Sequence, residues 1–434
     1  GLRAWQLCRP LLDAGHEVTL VTFGERPVRV SEPPGLRRIC LASGDFTDGE
    51  LLNEALAQAQ PDAVITAGSY QPTRAACLLR TELPLWVDLP GDMMAEAQLR
   101  AESAGDPGLV QDYLSILAPA LARGDHFSVI SHRQRHALLG QLGLAGRLTA
   151  QGVGHEMVSV LPPAVEPAPC VTRGPRPHGV PADAFLVLSS GGYNTWCHVQ
   201  TLFAGLERAM ELDPRIHFIS AGGAIPDHCE GAEALLRQLV GRSAHGERFH
   251  LLGWQWPEDL AALYAESQLG LNLDRRCYEA ELGSRNRLLD WLRHGLPCLT
   301  TPSSELAREL CDQGLAMEVS AEDAEAVARR IVALARDPEA LRRQGAEARV
   351  TVEREYSPQA TTAPLVAWAR CPARAPGSGQ DTPNPEPDAR LLQAELRRCE
   401  QQLGAVRGSA AFRGLRQVSN LLDPLRRRLK GLKN

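Results

Sequence analysis

Short apolar runs alternate with longer amphipathic segments along most of this chain. In a first series, the runs with the length and composition of strands are 17–23, 62–66, 85–88 and 127–130. In a second series they are 185–188, 216–220, 249–252, 269–273, 298–300 and 317–319. Because strands that alternate with helices form parallel sheets, each series predicts an α/β domain with Rossmann-like architecture.

Proline marks the boundary between the two series. The stretch 160–179 is too rich in proline and glycine to hold a helix or a central strand, so we expect the interdomain linker there. The expected organisation is a first domain at 1–165, a second domain at 180–355, a closing helix at 356–370, a flexible linker at 371–387 and a helical tail at 388–434.

The two ends of the chain have distinct patterns. The helix-like pattern of residues 2–12 precedes the first predicted strand, so we expect that an earlier strand of the domain is missing from this sequence. At the other end, 407–434 is basic, with apolar residues mostly three or four apart and a break at Pro424. This pattern predicts an amphipathic helix that lies on an anionic membrane surface or docks on a protein partner.

Composition excludes several classes of protein. With 44% hydrophobic residues and a net charge of -6, the chain can bury two cores and gives no overall sign of a nucleic-acid partner. The 11 cysteines are scattered without a C-x-x-C pair, which is typical of free thiols in a reducing compartment. We find no signal peptide and no run of roughly 18 apolar residues, and therefore expect a cytoplasmic protein.

The segment 269–300 contains the most informative pattern: strand, polar turn, helix, glycine stop and strand. Ser284 is expected to cap the helix, which would gather free amides with Arg285 and Arg287 where an open α/β sheet binds its ligands. A diphosphate fits such a site. Asp290 shares a helix face with Arg287, so its carboxylate could accept bonds from ribose hydroxyls or form an ordinary surface pair with that arginine.

This segment resembles the donor-site signature of the retaining GT-B glycosyltransferases of family 4. That signature has two glutamates eight residues apart, the second on a helix that ends in Gly-x-Pro. Asp290 stands at the second position, and Gly295-Leu296-Pro297 matches the stop. Glu281 is the nearest counterpart of the first glutamate, although its spacing from Asp290 is nine. A subgroup with Arg-x-Arg-x-Leu-Asp in this helix is the closer likeness.

Two other segments resemble donor-side loops of the same subgroup. The Gly191–Trp196 loop, which includes Gly192 and Asn194, resembles a Gly-Gly-x-x-x-Trp loop near the donor phosphates. It is not a G-x-G-x-x-G fingerprint, and a plain strand-to-helix turn is the alternative. His198 stands where relatives often have Asp. Trp254 follows Gly253 as in a loop expected beside the nucleobase, or else serves as hydrophobic cover.

On the first-domain side, the loop that begins at Asp88 and includes Asp92 and Glu96 resembles the acceptor side of the family. The resemblance implies catalytic or acceptor contacts for these three acids, while helix capping is the alternative for Asp92. The segment 131–135 resembles one that faces the interdomain cleft, although the sequence does not show which of its basic side chains point inward.

The resemblance extends over roughly residues 1–365. It implies transfer of a sugar from a nucleotide diphosphate sugar to a glycan or lipid-linked acceptor in surface polysaccharide synthesis, with retention at the anomeric carbon. The chain has no Asp-x-Asp, so we expect no metal and no other cofactor, with arginine and helix amides neutralising the leaving diphosphate. Two alternatives stay open: a nucleotide-sugar epimerase of the same architecture, and a catalytically silent scaffold.

Overall fold

The computed structural model describes residues 2–23, 33–41, 47–169, 176, 179–225 and 229–376. Residues 1–380 form one compact unit, and 381–434 form a second unit that lies outside the described residues. The predicted tail at 388–434 and the basic segment 407–434 therefore also lie outside them. No helix in the described ranges is both long and apolar enough to cross a bilayer.

The first lobe combines two small parallel sheets with helices. In chain order its elements are α1 (Leu2–Asp13), β1 (Val18–Phe23), β2 (Leu36–Leu41), α2 (Gly49–Ala59), β3 (Val64–Ile65), α3 (Gln71–Cys77), β4 (Leu85–Leu89), α4 (Met93–Ala104), α5 (Gly108–Arg123), β5 (His126–Val129), α6 (His132–Leu144) and β6 (Val158–Val160). Strands β1 and β2 pair with each other, and the second sheet has the order β3-β4-β5-β6. The four predicted strands are confirmed, while β2 and β6 were not predicted.

The second lobe is a six-stranded parallel sheet of order β12-β11-β10-β7-β8-β9. Its elements are β7 (Phe185–Ser190), α7 (Val199–Leu212), β8 (Ile216–Ala221), α8 (Gly231–Val240), β9 (Phe249–Leu251), α9 (Pro257–Glu266), β10 (Leu269–Asn272), α10 (Tyr278–Leu282), α11 (Asn286–Arg293), β11 (Cys298–Thr300), α12 (Glu305–Asp312), β12 (Met317–Glu318), α13 (Ala324–Ala335) and α14 (Pro338–Glu355). All six predicted strands are confirmed.

Helices cover both faces of this sheet. Successive residues of β7 alternate between two cores, with Val187 in a cluster that includes Val327 of α13 and Leu188 in a cluster that includes Trp291 of α11. A strand that is buried on both faces has a continuous apolar sequence. This explains why the strands of the second lobe could be recognised from short hydrophobic runs.

The chain returns to the first lobe after α14. The predicted closing helix at 356–370 is divided at Thr362 into α15 (Pro358–Thr361) and α16 (Ala363–Ala369). Leu365 packs in the first-lobe cluster with Leu7 of α1. The flexible linker was expected to begin at residue 371, but Ala375 is only 4% exposed and packs in the first-lobe core, so the start of this segment belongs to the folded lobe. Its remainder, 377–387, lies outside the described residues.

Candidate active site

The loop after β7 is a tight turn that requires glycine. Gly191 has φ of +87°, in the left-handed region that favours glycine. Its N–H donates to Ala221 O at 3.1 Å, and the Tyr193 N–H donates to Gly223 O at 3.1 Å, so this loop runs against the loop that follows β8. A Cβ atom on Gly222 would overlap the Gly191 backbone. The turn therefore brings bare backbone to the carboxyl edge of the sheet.

Arg287 lies directly beside this turn. It belongs to the first turn of α11, and its Nη2 donates to Gly192 O at 2.7 Å. The same Nη2 is 3.6 Å from the position that a Cβ on Gly191 would occupy. This contact, which the sequence did not predict, places a cation where a diphosphate could reach both backbone and guanidinium.

Arg285 has a different environment from the one expected. Its side chain is only 3% exposed, and it donates to Asp274 Oδ2 and Glu279 Oε2, at 2.8 Å in each case. The guanidinium carbon is 5.0 Å from the centre of the Trp196 ring. Burial raises the pKa of Glu279, while Arg285 opposes that rise. The expected diphosphate contact is therefore corrected: Arg285 is the countercharge of two buried carboxylates.

Four buried side-chain oxygens around these loops have no hydrogen-bond partner among the described residues. They are Asn194 Oδ1, Thr195 Oγ1, Asp274 Oδ1 and Ser284 Oγ. The loops that carry them are adjacent, since the Arg275 N–H donates to Trp196 O at 2.8 Å and Arg285 contacts Asp274. Buried polar groups normally find a partner, so these oxygens are candidates for contact with a ligand.

The start of α11 differs from the sequence-based expectation. Ser284 was expected to cap the helix, but the helix begins at Asn286, and Arg285 occupies the N-cap position without a side-chain capping bond. The hydroxyl of Ser284 consequently has no capping role. It is available to the cluster of unpartnered oxygens instead.

The two acids of the family signature also differ in placement. Asp290 accepts from the Tyr264 hydroxyl at 2.8 Å and from Arg293 Nε at 2.8 Å, so the alternative pair with Arg287 does not form. Glu281 is exposed, whereas Glu279 on the same short helix is buried against Arg285. Glu279, which was not selected from the sequence, is therefore the buried glutamate of α10 and the partner of Arg285.

Trp254 lies beside the glycine turn, and its indole is exposed. Its Nε1 donates to Ala224 O at 3.0 Å, and its Cη2 is 3.7 Å from the position of a Cβ on Gly192. Trp254 is 60% exposed and Trp256 is 77% exposed. This exposure argues against the hydrophobic-cover alternative and leaves aromatic surface at the rim of the site.

Two acids of the first lobe have structural roles. Asp88 is fully buried and accepts from Arg3 Nη2 at 2.7 Å, from Arg3 Nε at 2.9 Å and from Ser128 Oγ at 2.7 Å. Asp92 caps α4 through the Ala95 N–H at 2.8 Å and accepts from Gln141 Nε2 at 3.0 Å. The expectation of catalytic contacts is corrected for both, because neighbouring donors already occupy their carboxylate oxygens.

Glu96 is the third acid of this loop and has a different electrostatic setting. Burial raises its pKa, the charge of Glu279 in the other lobe adds to the rise, and the charge of Arg100 opposes it. Helix α4, which carries Glu96, contacts α10, which carries Glu279. Of the three predicted acids, Glu96 is the one coupled to the donor side.

Further contacts join the lobes. The Glu305 carboxylate accepts from the backbone N–H groups of His132 and Arg133, both at 2.8 Å, and Arg133 Nη1 donates to Ser303 O at 2.8 Å. Segment 131–135 therefore faces the second lobe, as expected, and Arg133 is its inward-pointing basic residue. His198, at the position where relatives often have Asp, caps α7 by accepting from the Thr201 N–H at 3.3 Å.

Comparison with known families places this geometry in context. Residues 230–367 match the family described as glycosyl transferase-like, and residues 1–86 match the NAD dependent epimerase/dehydratase family. No protein of curated function matches the chain. The residues 1–86 contain no G-x-G-x-x-G fingerprint.

Solved structures with the same architecture cover most of the chain. The sucrose-phosphate synthase of Thermosynechococcus elongatus is 18% identical, with a TM-score of 0.64 over 85% of this chain and 92% of that one. An α,α-trehalose-phosphate synthase (UDP-forming) from Burkholderia vietnamiensis is 15% identical, with a TM-score of 0.62 over 85% and 97%. An E. coli structure described as trehalose-6-phosphate bound with UDP-2-fluoro glucose is 13% identical, with a TM-score of 0.64 over 86% and 97%.

The two parallel-sheet lobes and their likeness to these solved structures show the GT-B fold. Within it, residues 230–367 match the glycosyl transferase-like family, and this segment includes Arg287, Asp274 and Trp254. The narrower resemblance to family 4 is not tested by these matches and stays a prediction.

Proposed function

We propose that this chain transfers a glycosyl group from a nucleotide diphosphate sugar to a hydroxyl of a glycan or lipid-linked acceptor, with retention at the anomeric carbon. The observation that carries the proposal is the Gly191–Gly192 turn with Arg287 beside it at the carboxyl edge of the second sheet. Open α/β sheets bind ligands at this edge, where loop amides and cations meet an anion. The donor diphosphate occupies this position in our proposal.

The donor sugar would be bound by the unpartnered oxygens. Asn194 Oδ1 and Asp274 Oδ1 can only accept hydrogen bonds, and sugar hydroxyls are donors. Thr195 and Ser284 add hydroxyls that either donate or accept. A ligand that lacked hydroxyl groups would leave these buried oxygens unsatisfied, so the cluster favours a sugar over a simple phosphate.

The nucleoside would lie farther along the same edge. The exposed Trp254 ring beside Gly192 offers a stacking surface for a base. Asp290, partly exposed on α11, is the acid that the family resemblance assigns to the ribose. Its contacts with Tyr264 and Arg293 would hold the carboxylate in a fixed orientation for that role.

The chemical step requires stabilisation of the charge that develops on the departing diphosphate. Arg287 and the adjacent backbone N–H groups supply that stabilisation in our proposal, without a metal. Glu96, whose pKa is raised by burial, is the acid of the first lobe that we assign to the acceptor side. It would hydrogen-bond the acceptor hydroxyl.

The arginines near the proposed acceptor side help to indicate whether the acceptor is charged. The related structures are named for syntheses of sugar phosphates, whose acceptors would need a cation. In this chain, Arg3 is bound to Asp88 and Arg275 is bound to Glu102. These two cations are thus engaged by carboxylates, whereas Arg133 donates to Ser303 O and has no ion-pair partner among the described residues, so a sugar phosphate belongs among the acceptors to be tested.

A transfer assay with a panel of UDP-, GDP- and dTDP-sugars tests the proposal. Each donor would be incubated with a glycan acceptor, with a lipid-linked sugar, with glucose 6-phosphate and without an acceptor. We expect a glycosylated product with one of the first two acceptors and an unchanged anomeric configuration. Epimerised nucleotide sugar in the arm without acceptor would support the epimerase alternative. Absence of both turnover and ligand-induced thermal stabilisation would support the scaffold alternative.

A further inference from the structure

The first lobe contains a buried arginine that is only partly satisfied. Arg147 lies in the loop between α6 and β6 and is 4% exposed. Its Nη1 donates to Leu121 O at 2.5 Å and to Ala122 O at 3.0 Å, at the last turn of α5. Its Nε and Nη2 are buried and have no partner among the described residues. Buried donors without a partner destabilise the folded state, so a ligand that accepts from Nε and Nη2 of Arg147 would offset this cost.

The geometry of the unpartnered Nε and Nη2 groups of Arg147 indicates the class of ligand. The Nε–H and Nη2–H bonds of a guanidinium are parallel donors that bind two oxygens of a carboxylate or phosphate together. Thr149 Oγ1, two residues farther along the loop, is likewise buried without a partner. Both residues line one pocket, whose walls also include Arg135 and His155. The pocket thus offers a donor set for an oxyanion.

The local charge also favours an anion. Burial lowers the pKa of the Arg147 guanidinium, Asp125 opposes this, and Arg123 and Arg374 lower it further. Asp125 is already occupied, because it accepts from Arg123 Nη1 at 3.1 Å and from Arg374 Nε at 3.3 Å. Because Arg374 also pairs with Glu82, three guanidinium groups face two carboxylates in this region, which leaves a net positive charge.

The rim of the pocket is apolar and exposed. Leu148 is 57% exposed and Val153 is 85% exposed, and both line the pocket with Leu139. Glu156 is the acid of the lining, and it pairs with Arg135 at 3.7 Å. A phosphate attached to an organic group would place its charge on Arg147 and its uncharged part on this rim.

We propose that the Arg147 pocket is a second ligand site, which binds the phosphate group of a phosphomonoester through Arg147 and Thr149. None of its lining residues belongs to the loops around Arg287, so the site is separate from the proposed donor site and does not rest on the proposed function. The recognised chemistry is a tetrahedral oxyanion, whose source is either free phosphate or an organic monoester.

Calorimetric titration of the full chain tests this proposal, with inorganic phosphate and butyl phosphate as probes and sodium chloride at matched ionic strength as the blank. We expect saturable binding of both probes. Tighter binding of butyl phosphate would identify a monoester as the source, and equal affinity would identify the phosphate group alone as the recognised unit. Absence of saturable binding would overturn the proposal.

Two variants and one control assign the binding to the pocket. Thr149→Val keeps the shape and removes one hydrogen bond, so we expect about five-fold weaker phosphate binding. Arg147→Lys keeps the charge and loses the paired donors, and should weaken binding by roughly ten-fold or more. Arg208→Gln, at an exposed arginine of the second lobe, is the control for a remote loss of charge and should leave binding unchanged. Parental affinity in Thr149→Val would refute the proposal, and this variant decides alone if Arg147→Lys fails to fold.

Discussion

The first and second lobes of this protein use polar residues at strand ends in different ways. At the end of β4 and just after it, Asp88 and Asp92 are buried and hold the first lobe together through Arg3, Ser128 and the first turn of α4. After β7 and β10, by contrast, Asn194 and Asp274 have buried oxygens without partners. Residue type alone does not distinguish these cases. An acid at the end of a strand is available for chemistry only when its neighbours leave it a free oxygen.

The same contrast separates two arginines of one helix start. Arg285 is buried between two carboxylates, whereas Arg287 reaches the glycine turn. The first is needed for the native structure and the second is placed for a ligand. Four substitutions can sharpen or break this comparison, and they follow here in order of decreasing expected effect.

Arg285→Leu should cause the largest loss of stability. Removing the cation leaves Asp274 and Glu279 buried without a countercharge, and we expect the free energy of unfolding to fall by about 4 kcal/mol at neutral pH. Urea denaturation checks this. Parental stability would mean that Arg285 is not the structural countercharge and would return it to the donor site.

The stability loss in Arg285→Leu should also depend on pH. Burial already raises the pKa of Glu279, and loss of Arg285 removes the interaction that opposes this rise. A carboxyl whose pKa is higher in the folded state loses stability as pH rises from its unfolded towards its folded value. The deficit should therefore be smaller at about pH 5 than at about pH 7. An equal deficit would contradict the assignment to Glu279.

Asp88→Asn should be the next most destabilising. The partly buried Arg3 guanidinium would lose its ionic partner, at an expected cost of about 3 kcal/mol in the free energy of unfolding. Donor binding by the folded protein should persist. Glu54→Gln, an exposed acid of the same lobe, is the matched control and should be neutral. Lost turnover with parental stability would instead make Asp88 a catalytic group.

Asp92→Ala should have a moderate effect. Loss of the side-chain bond to the Ala95 N–H at the start of α4 should cost about 1 kcal/mol. Asp92→Asn preserves a good capping residue and should retain most of the stability. The comparison of these two variants by thermal unfolding separates capping from charge: equal losses in both would show that the negative charge, rather than the cap, is required.

Glu96→Gln should change the free energy of unfolding least of the four substitutions, and it should raise this free energy rather than lower it. Because burial raises the pKa of Glu96, the parent should lose stability as pH rises above the unfolded value of this carboxyl. The glutamine variant cannot ionise, so its stability relative to the parent should improve between about pH 4 and about pH 7. Parallel pH profiles from urea unfolding would rule out the raised pKa.

The parts of the fold predicted from sequence are those with local signals. The strands of the second sheet are short runs buried on both faces, which are visible without knowledge of their partners. Strand β2, which contains Arg37 and Arg38, lacks such a run and was missed. The glycine turn at Gly191–Gly192 was also predictable, since the need for close backbone approach is encoded in the glycines themselves.

The errors at the site have a common physical origin. Asp88 finds its partners Arg3 and Ser128 at sequence separations of 85 and 40 residues, which no local pattern reveals. Glu279 and Glu281 are both on α10, but residues two apart on a helix point about 200° apart, so Glu281 is exposed while Glu279 is buried against Arg285. Which residues pair over such sequence separations, and on which face of a helix an acid lies, can be seen only in the folded structure.

The central claim is that Arg287, at the glycine turn, binds the donor diphosphate. Calorimetric titration of UDP and GDP into the parent, Arg287→Gln and the control Arg208→Gln tests it directly. Loss of one charge-assisted contact is worth roughly 1.5–3 kcal/mol, so we expect the affinity of Arg287→Gln to fall by roughly 10- to 100-fold, with both variants folded and the control at parental affinity. Equal affinity of Arg287→Gln and the parent would contradict the account.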